Sequence, residues 1–256
     1  MPDDVAVTFI APRYLAGGGD PAWVTVPLHR ACGWSHGHDP LMPRVTLSSP
    51  DQQALLRLDP DPDEPWWTLQ HASVGEQPAW SARFGARTPV EIIAGLTDAL
   101  TNPMVTAEPA ADPYEPLRQA GWVQARDHDG LMSPDAIAHV EHFTDGASDC
   151  WFARTAVSED PEGLVWQAYL SGNTPAHLIT GFTSALADQT PLPRNPFQRQ
   201  FPPYGRRHTR ASTTQLPSTD VALALSNRVK GLASRQAHNP APAAQPPHTP
   251  QPRHSR

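Results

Sequence analysis

Residues 80–100, WSARFGARTPVEIIAGLTDAL, return as residues 166–186, WQAYLSGNTPAHLITGFTSAL. At a fixed offset of 86, nine of the 21 positions are identical: Trp80/Trp166, Ala82/Ala168, Thr88/Thr174, Pro89/Pro175, Ile93/Ile179, Gly95/Gly181, Thr97/Thr183, Ala99/Ala185 and Leu100/Leu186. Unrelated segments would share roughly one or two at ordinary residue frequencies. Upstream, an offset of 84 aligns Ser49-Pro50-Asp51 with Ser133-Pro134-Asp135, and Trp67 with Trp151. Further back, PLHRACGW (27–34) matches PLRQAGW (116–122) with one gap. A repeat this long requires both halves to adopt one fold. The chain divides into a first repeat domain over 5–103, a second over 112–188, and a remainder over 191–256.

The pattern within a copy predicts an α+β unit: two tandem copies of a small antiparallel sheet with helices packed on one face. In PLHRACGW, Pro27 suits a first helical turn and Gly33 the left-handed position after the last. RVTL and ALLRL read as strands on either side of the first Ser-Pro-Asp. AWSARF puts Trp80, Ala82 and Phe84 on one strand face. The next helix takes Thr88 as N-cap, Pro89 at the first position and Glu91 as partner in a capping box. Its apolar stripe is Ile92, Ile93, Leu96 and Leu100, kept in the second copy as Leu178, Ile179, Phe182 and Leu186. VAVTF predicts one further strand ahead of the first copy. The tryptophan pairs 34/122, 67/151 and 80/166 recur in register and read as core.

Ser-Pro-Asp between two apolar strands is explained in full by a hairpin turn. The serine bonds backbone, proline presets φ, and aspartate tolerates the third position. A nucleophilic serine would need a base in reach, and pairing Ser49 with Asp51 gives no histidine at a telling position and no surrounding G-x-S-x-G elbow. GGGDPA (17–22) fits a dinucleotide fingerprint only on paper, because APRYLA separates it from the nearest strand. SHGHDP holds His36, His38 and Asp39, too few ligands for a metal without a further donor. The reading assigns no catalytic, cofactor-binding or metal-binding residue.

Charge separates the remainder from the body. Residues 1–190 hold nine Arg, no Lys and 25 acids, a net −16; residues 191–256 hold ten basic residues and one acid, Asp220, a net +9. That segment also holds 12 of the 31 prolines. It is expected to be a disordered basic tail, with one helical island over 219–233 whose stripe is Val221, Leu225, Val229 and Leu232. Arg206, Arg207 and Arg210, beside Tyr204 and His208, are its candidate phosphate contacts. Cys32 and Cys150 stand alone and form no thiolate cluster, and no apolar run reaches the ~20 residues of a membrane span. A cytoplasmic protein is expected.

Together, APRYLAGGGDP (11–21), Gly33-Trp34, SPD, WSARFG and TPVEIIAGLTDAL resemble the actinobacterial domain of unknown function 317. That family is named for an S-P-D-Y-type motif and usually carries two copies per chain. Gln52 and Ala136 stand where the motif has its aromatic, so no role resting on that tyrosine transfers. The resemblance implies an actinobacterial origin and supplies no activity. The functional expectation is a non-enzymatic binding or regulatory protein for an unidentified protein or small ligand. The alternatives are a nucleic-acid-associated protein acting weakly through the tail, and an enzyme with a site between the repeats.

Overall fold

The alternation in ALLRL and WSARF becomes strands whose odd and even side chains part to opposite faces. A computed structural model describes residues 4–38, 44–59, 66–102, 112–125, 130–145, 148–195 and 205–238. The chain opens with β1 (Asp4–Ala11), a 3-10 turn (Arg13–Leu15) and α1 (Ala22–Cys32). The first copy continues as β2 (Ser35–His38), β3 (Val45–Ser48), β4 (Ala54–Leu58), β5 (Trp67–His71), β6 (Trp80–Phe84) and α2 (Val90–Leu100). The second follows as α3 (Glu115–Gln119), β7 (Val123–Gln124), β8 (Leu131–Met132), β9 (Ala138–Asp145), β10 (Ser148–Ala156), β11 (Leu164–Ser171) and α4 (Ala176–Ala187). Then come β12 (Leu192–Arg194), α5 (Gly205–His208), β13 (Arg210–Pro217) and α6 (Ser218–His238).

Among the described residues the two copies share one sheet instead of forming two small ones. Its order is β2-β3-β4-β5-β6-β11-β10-β9-β8-β7. The halves are meanders of the same register: Leu47 faces Leu56 where Leu131 faces Val140, and Leu69 faces Ala82 where Ala153 faces Ala168. The seam is the antiparallel pairing of β6 with β11, Arg83 opposite Tyr169. Each of these strands would otherwise be the exposed edge of its own copy, and pairing them satisfies both rows of backbone groups.

The helices cover one face. α2 packs on α4 across the seam, α1 on α2, and α3 on α4, which repeats the element order symmetrically. All six paired tryptophans are at most 8 % exposed and join one core. At the centre of the α2–α4 crossing lie the repeated glycines. A Cβ on Gly95 would sit 2.5 Å from the Gly181 carbonyl oxygen and from Ala185 Cβ, and one on Gly181 would meet the Gly95 carbonyl oxygen at 2.6 Å and Ala99 Cβ at 2.7 Å. Gly95 and Gly181 are equivalent positions, as are Ala99 and Ala185. The contact therefore has the self-complementary form of a two-fold dimer interface, built within one chain.

Several expectations are corrected. The VAVTF strand exists as β1, but it lies between β12 and β13 in a separate three-stranded sheet. α1 starts at Ala22, so Pro27 sits inside the helix. No capping box forms: α2 begins at Val90, whose N–H donates to the Gly18 carbonyl at 2.8 Å, while Thr88 Oγ1 is buried without a partner. Glu91 is engaged elsewhere, by Arg194.

The largest correction is the tail. Over 205–238 it is ordered, where β13 pairs along the whole of β1 and α6 lies on α1. Residues 239–256 lie outside the described residues. Over 205–238 local composition argued for disorder, and tertiary contacts overrode it. Pro27 has no N–H, so the Trp23 carbonyl one turn earlier has no intrahelical donor. Arg228 of α6 supplies one, with Nε 2.8 Å from that oxygen. The same guanidinium is bidentate to Asp98, at 2.8 and 3.1 Å, and lies 5.2 Å from the Trp23 ring centroid. The charge of the tail thus meets the acidic body. Of the predicted stripe, Leu232 is buried and Leu225 and Val229 are half-buried, but Val221 is 40 % exposed.

Candidate functional site

Both Ser-Pro-Asp triplets are hairpin turns. The Gln52 N–H donates to the Ser49 carbonyl at 2.9 Å, and the Ala136 N–H to the Ser133 carbonyl at 2.8 Å. Each serine hydroxyl donates to its own aspartate and accepts a backbone N–H, from Ala54 or Ala138, at 2.9 Å. These hydroxyls are spent on closing the turn. Gln52 (φ 61°) and Ala136 (φ 60°) take the left-handed position that completes it. An L-residue there costs ~1–2 kcal/mol, of which glycine's unfolded-state entropy returns ~0.5–1. Ala136→Gly is therefore expected to gain ~0.5–1 kcal/mol by chemical denaturation. An unchanged midpoint would show that the turn carries no strain.

What docks on the two turns differs. A glycine borders each: an added Cβ would lie 3.6 Å from Pro50 at Gly33 and 4.0 Å from Pro134 at Gly121. The second also receives the Tyr14 segment, which has no counterpart in the second copy. Tyr14 Oη donates to Asp135 Oδ2 at 2.6 Å, the Tyr14 ring meets Trp122 edge-on at 6.1 Å, and Trp166 Nε1 donates to the Tyr14 carbonyl at 2.7 Å. Burial, and then the hydrogen bond to Asp135, push the Tyr14 hydroxyl well above its usual pKa, so it remains a donor.

Beside this contact lies a cavity of about 430 Å³. Four separate parts of the chain line it: the Arg13–Tyr14 turn, the second Ser-Pro-Asp turn with Trp122, the end of α4 at Leu186–Gln189, and His208 and Arg210. Arg13 pairs with Asp188, and its Nε is buried without a hydrogen-bond partner. Burial lowers the Arg13 pKa, against the raising effect of Asp188. Both carboxylates on the wall are committed: Asp135 to Tyr14 and Ser133, Asp188 to Arg13 and the Thr190 N–H. The side chains of His208 and Arg210 form no hydrogen bond or ion pair among the described residues. The cavity thus combines an apolar wall (Trp122, Pro134, Leu186) with the Arg210 guanidinium and the His208 imidazole at its mouth.

Of the three arginines singled out from sequence, Arg210 reaches this cavity. Arg207 is exposed on α5, and the Arg206 side chain and Tyr204 lie outside the described residues. Arg13, Tyr14 and Asp135 carried no sequence signal as a set, because they meet across 121 positions and Tyr14 has no counterpart in the second copy. The glycine run is a packed loop. Arg194 donates to the Ala16 and Gly17 carbonyls at 3.0 and 3.1 Å, and a Cβ on Gly19 would meet Val90 at 2.9 Å. Protein groups occupy the space a pyrophosphate would need. His36 is exposed on β2, while the His38 side chain and Asp39 lie outside the described residues. Among the described residues no group of three His, Cys, Asp or Glu could hold a metal ion, and no helix is long and apolar enough to cross a membrane.

This architecture defines an α+β protein made by duplication, with one sheet shared between its halves. The family model SPDY, a domain of unknown function (DUF317), matches residues 48–105 and again 132–192. The two matches lie in tandem, one in each repeat. No curated protein and no solved structure matches it.

Proposed function

We propose that this is a non-enzymatic binding protein that holds a small organic anion, a carboxylate or phosphate ester with an apolar body, in the cavity at the second Ser-Pro-Asp turn. One observation carries the reading: His208 and Arg210, without side-chain partners among the described residues, stand at the mouth of a pocket whose own carboxylates are already bonded. A buried Arg13 Nε without a partner adds an unused donor to the wall. Such sites are mostly apolar with a few placed polar groups. Because β13 supplies Arg210, an occupied cavity would also favour the docked state of the C-terminal segment, which makes a regulatory role natural. The free thiols of Cys32 and Cys150 suit a reducing, cytoplasmic compartment.

The test is a thermal-shift and calorimetric comparison of benzoate, phenyl phosphate and neutral benzamide on the full chain. An anion at 100 times its Kd should stabilise by ~2.7 kcal/mol, and benzamide should not. Arg210→Gln should abolish the response without altering the unliganded midpoint. An equal response in that variant, or no response to either anion, rejects the reading.

A further inference from the structure

The sheet face opposite the helices carries a second surface. Across the seam one row runs Arg57, Thr68, Arg83, Tyr169, Phe152, Glu141, each side chain directly opposite the next. The neighbouring row places Gln167 opposite Arg154. Tyr169 is 39 % exposed, Phe152 beside it is half-buried, and Arg83, Arg154 and Gln167 are exposed. Their strand neighbours Ala82, Phe84, Ala168 and Leu170 point the other way, into the core.

Two aromatic side chains therefore lie side by side at the centre of an open sheet, bracketed by arginines. Arg83 and Arg154 make no ion pair among the described residues, whereas Arg57 is held by Asp59. On a body of net charge −16, three of its nine arginines gather here, with Glu141 at the border. Strands are ~4.8 Å apart, so Arg57 to Phe152 spans roughly 19 Å over four strand spacings. The row above, Leu55, Gln70, Ser81 and Ser171, opens into a cavity of about 540 Å³ that also reaches Gln52 and His71. These amide, hydroxyl and imidazole groups suit the edges of bases.

We infer that this face binds single-stranded nucleic acid, with bases stacked on Tyr169 and Phe152 and phosphates on Arg83 and Arg154. An open sheet that presents aromatic rings to solvent, as Tyr169 is presented here with Phe152 partly exposed beside it, is a known stacking platform, and arginines beside it follow the backbone. A duplex hides its base faces, so the surface discriminates against it.

Fluorescence anisotropy with a labelled 12-nucleotide oligo-dT and a duplex of equal length tests this on the full chain. The single strand is expected to bind at low salt and the duplex at least tenfold more weakly. Tyr169→Ala should weaken binding ~5- to 100-fold, the range for a lost base stack, whereas Tyr169→Phe should bind like the parent. Arg83→Ala with Arg154→Ala should lower the salt slope by ~1.4, ~0.7 for each lost contact to a single strand. Arg207→Ala on α5 should leave affinity unchanged. No binding at low salt, equal binding of duplex, or loss with Arg207→Ala instead of Tyr169→Ala each overturns the inference. The first outcome would assign the face to a protein partner, the last would assign the contact to the C-terminal segment.

Discussion

Arg194→Met is expected to lower stability by ~3–5 kcal/mol, the cost of breaking a buried ion pair by removing one partner. Arg194 is 2 % exposed and forms a bidentate pair with Glu91, both contacts at 2.7 Å. Its remaining donors reach the carbonyls of Ala16, Gly17 and Pro193 at 2.9–3.1 Å. One side chain thus joins β12 to the start of α2 and to the glycine loop. Met fills similar volume but leaves the Glu91 carboxylate, 13 % exposed, without its counter-charge. The second arm of the experiment is Arg194→Met with Glu91→Met. Replacing both members of a buried pair by apolar groups is often nearly neutral, so the double variant should recover much of the loss. Urea denaturation with a constant m-value reads both. A single-variant loss below ~1 kcal/mol would mean that water solvates the pair.

Gly95→Val should cost ~3 kcal/mol or more, at or beyond the upper end of ordinary overpacking. The added Cβ falls 2.5 Å from a backbone oxygen of α4, and a backbone cannot rotate away as a flexible side chain can. Helix propensity works in the opposite sense, since leaving glycine gains ~1 kcal/mol in a helix interior when the replacement is alanine. Gly231 of α6 isolates that term, because nothing lies within 4 Å of an added Cβ there. Gly231→Ala should therefore stabilise by ~1 kcal/mol, while Gly95→Ala and Gly181→Ala should each destabilise. Opposite signs for the same substitution in two helices would establish the crossing as the cause. A stabilising Gly95→Ala would mean that α2 and α4 separate without cost.

Duplication was legible because it copies everything at once: two turns, three tryptophan pairs, an apolar stripe and a glycine. The strands around the turns were legible because period-two alternation reports one buried face. The turn chemistry of Ser-Pro-Asp was legible because proline and aspartate act on their own backbone. The capping box was misread by one or two residues, since Glu91 serves as a capping partner only if nothing stronger claims it, and Arg194, 103 positions away, does. The order of residues 205–238 was hidden for a related reason. Proline content and charge describe what a segment can do alone, whereas β13 and α6 are held by β1, Asp98 and the carbonyl that Pro27 leaves open.

The sequence by itself determined that two like halves exist, which faces of their strands are apolar, and that each Ser-Pro-Asp closes a turn. Those are local properties, set by periodicity and by side chains acting within a few residues. Only the tertiary structure decided that the halves share one sheet, that Tyr14 docks on the second turn alone, and that Arg83, Tyr169, Phe152 and Arg154 become neighbours. Those depend on which strand edges and which opposite charges find one another across the chain, and no local pattern encodes that choice.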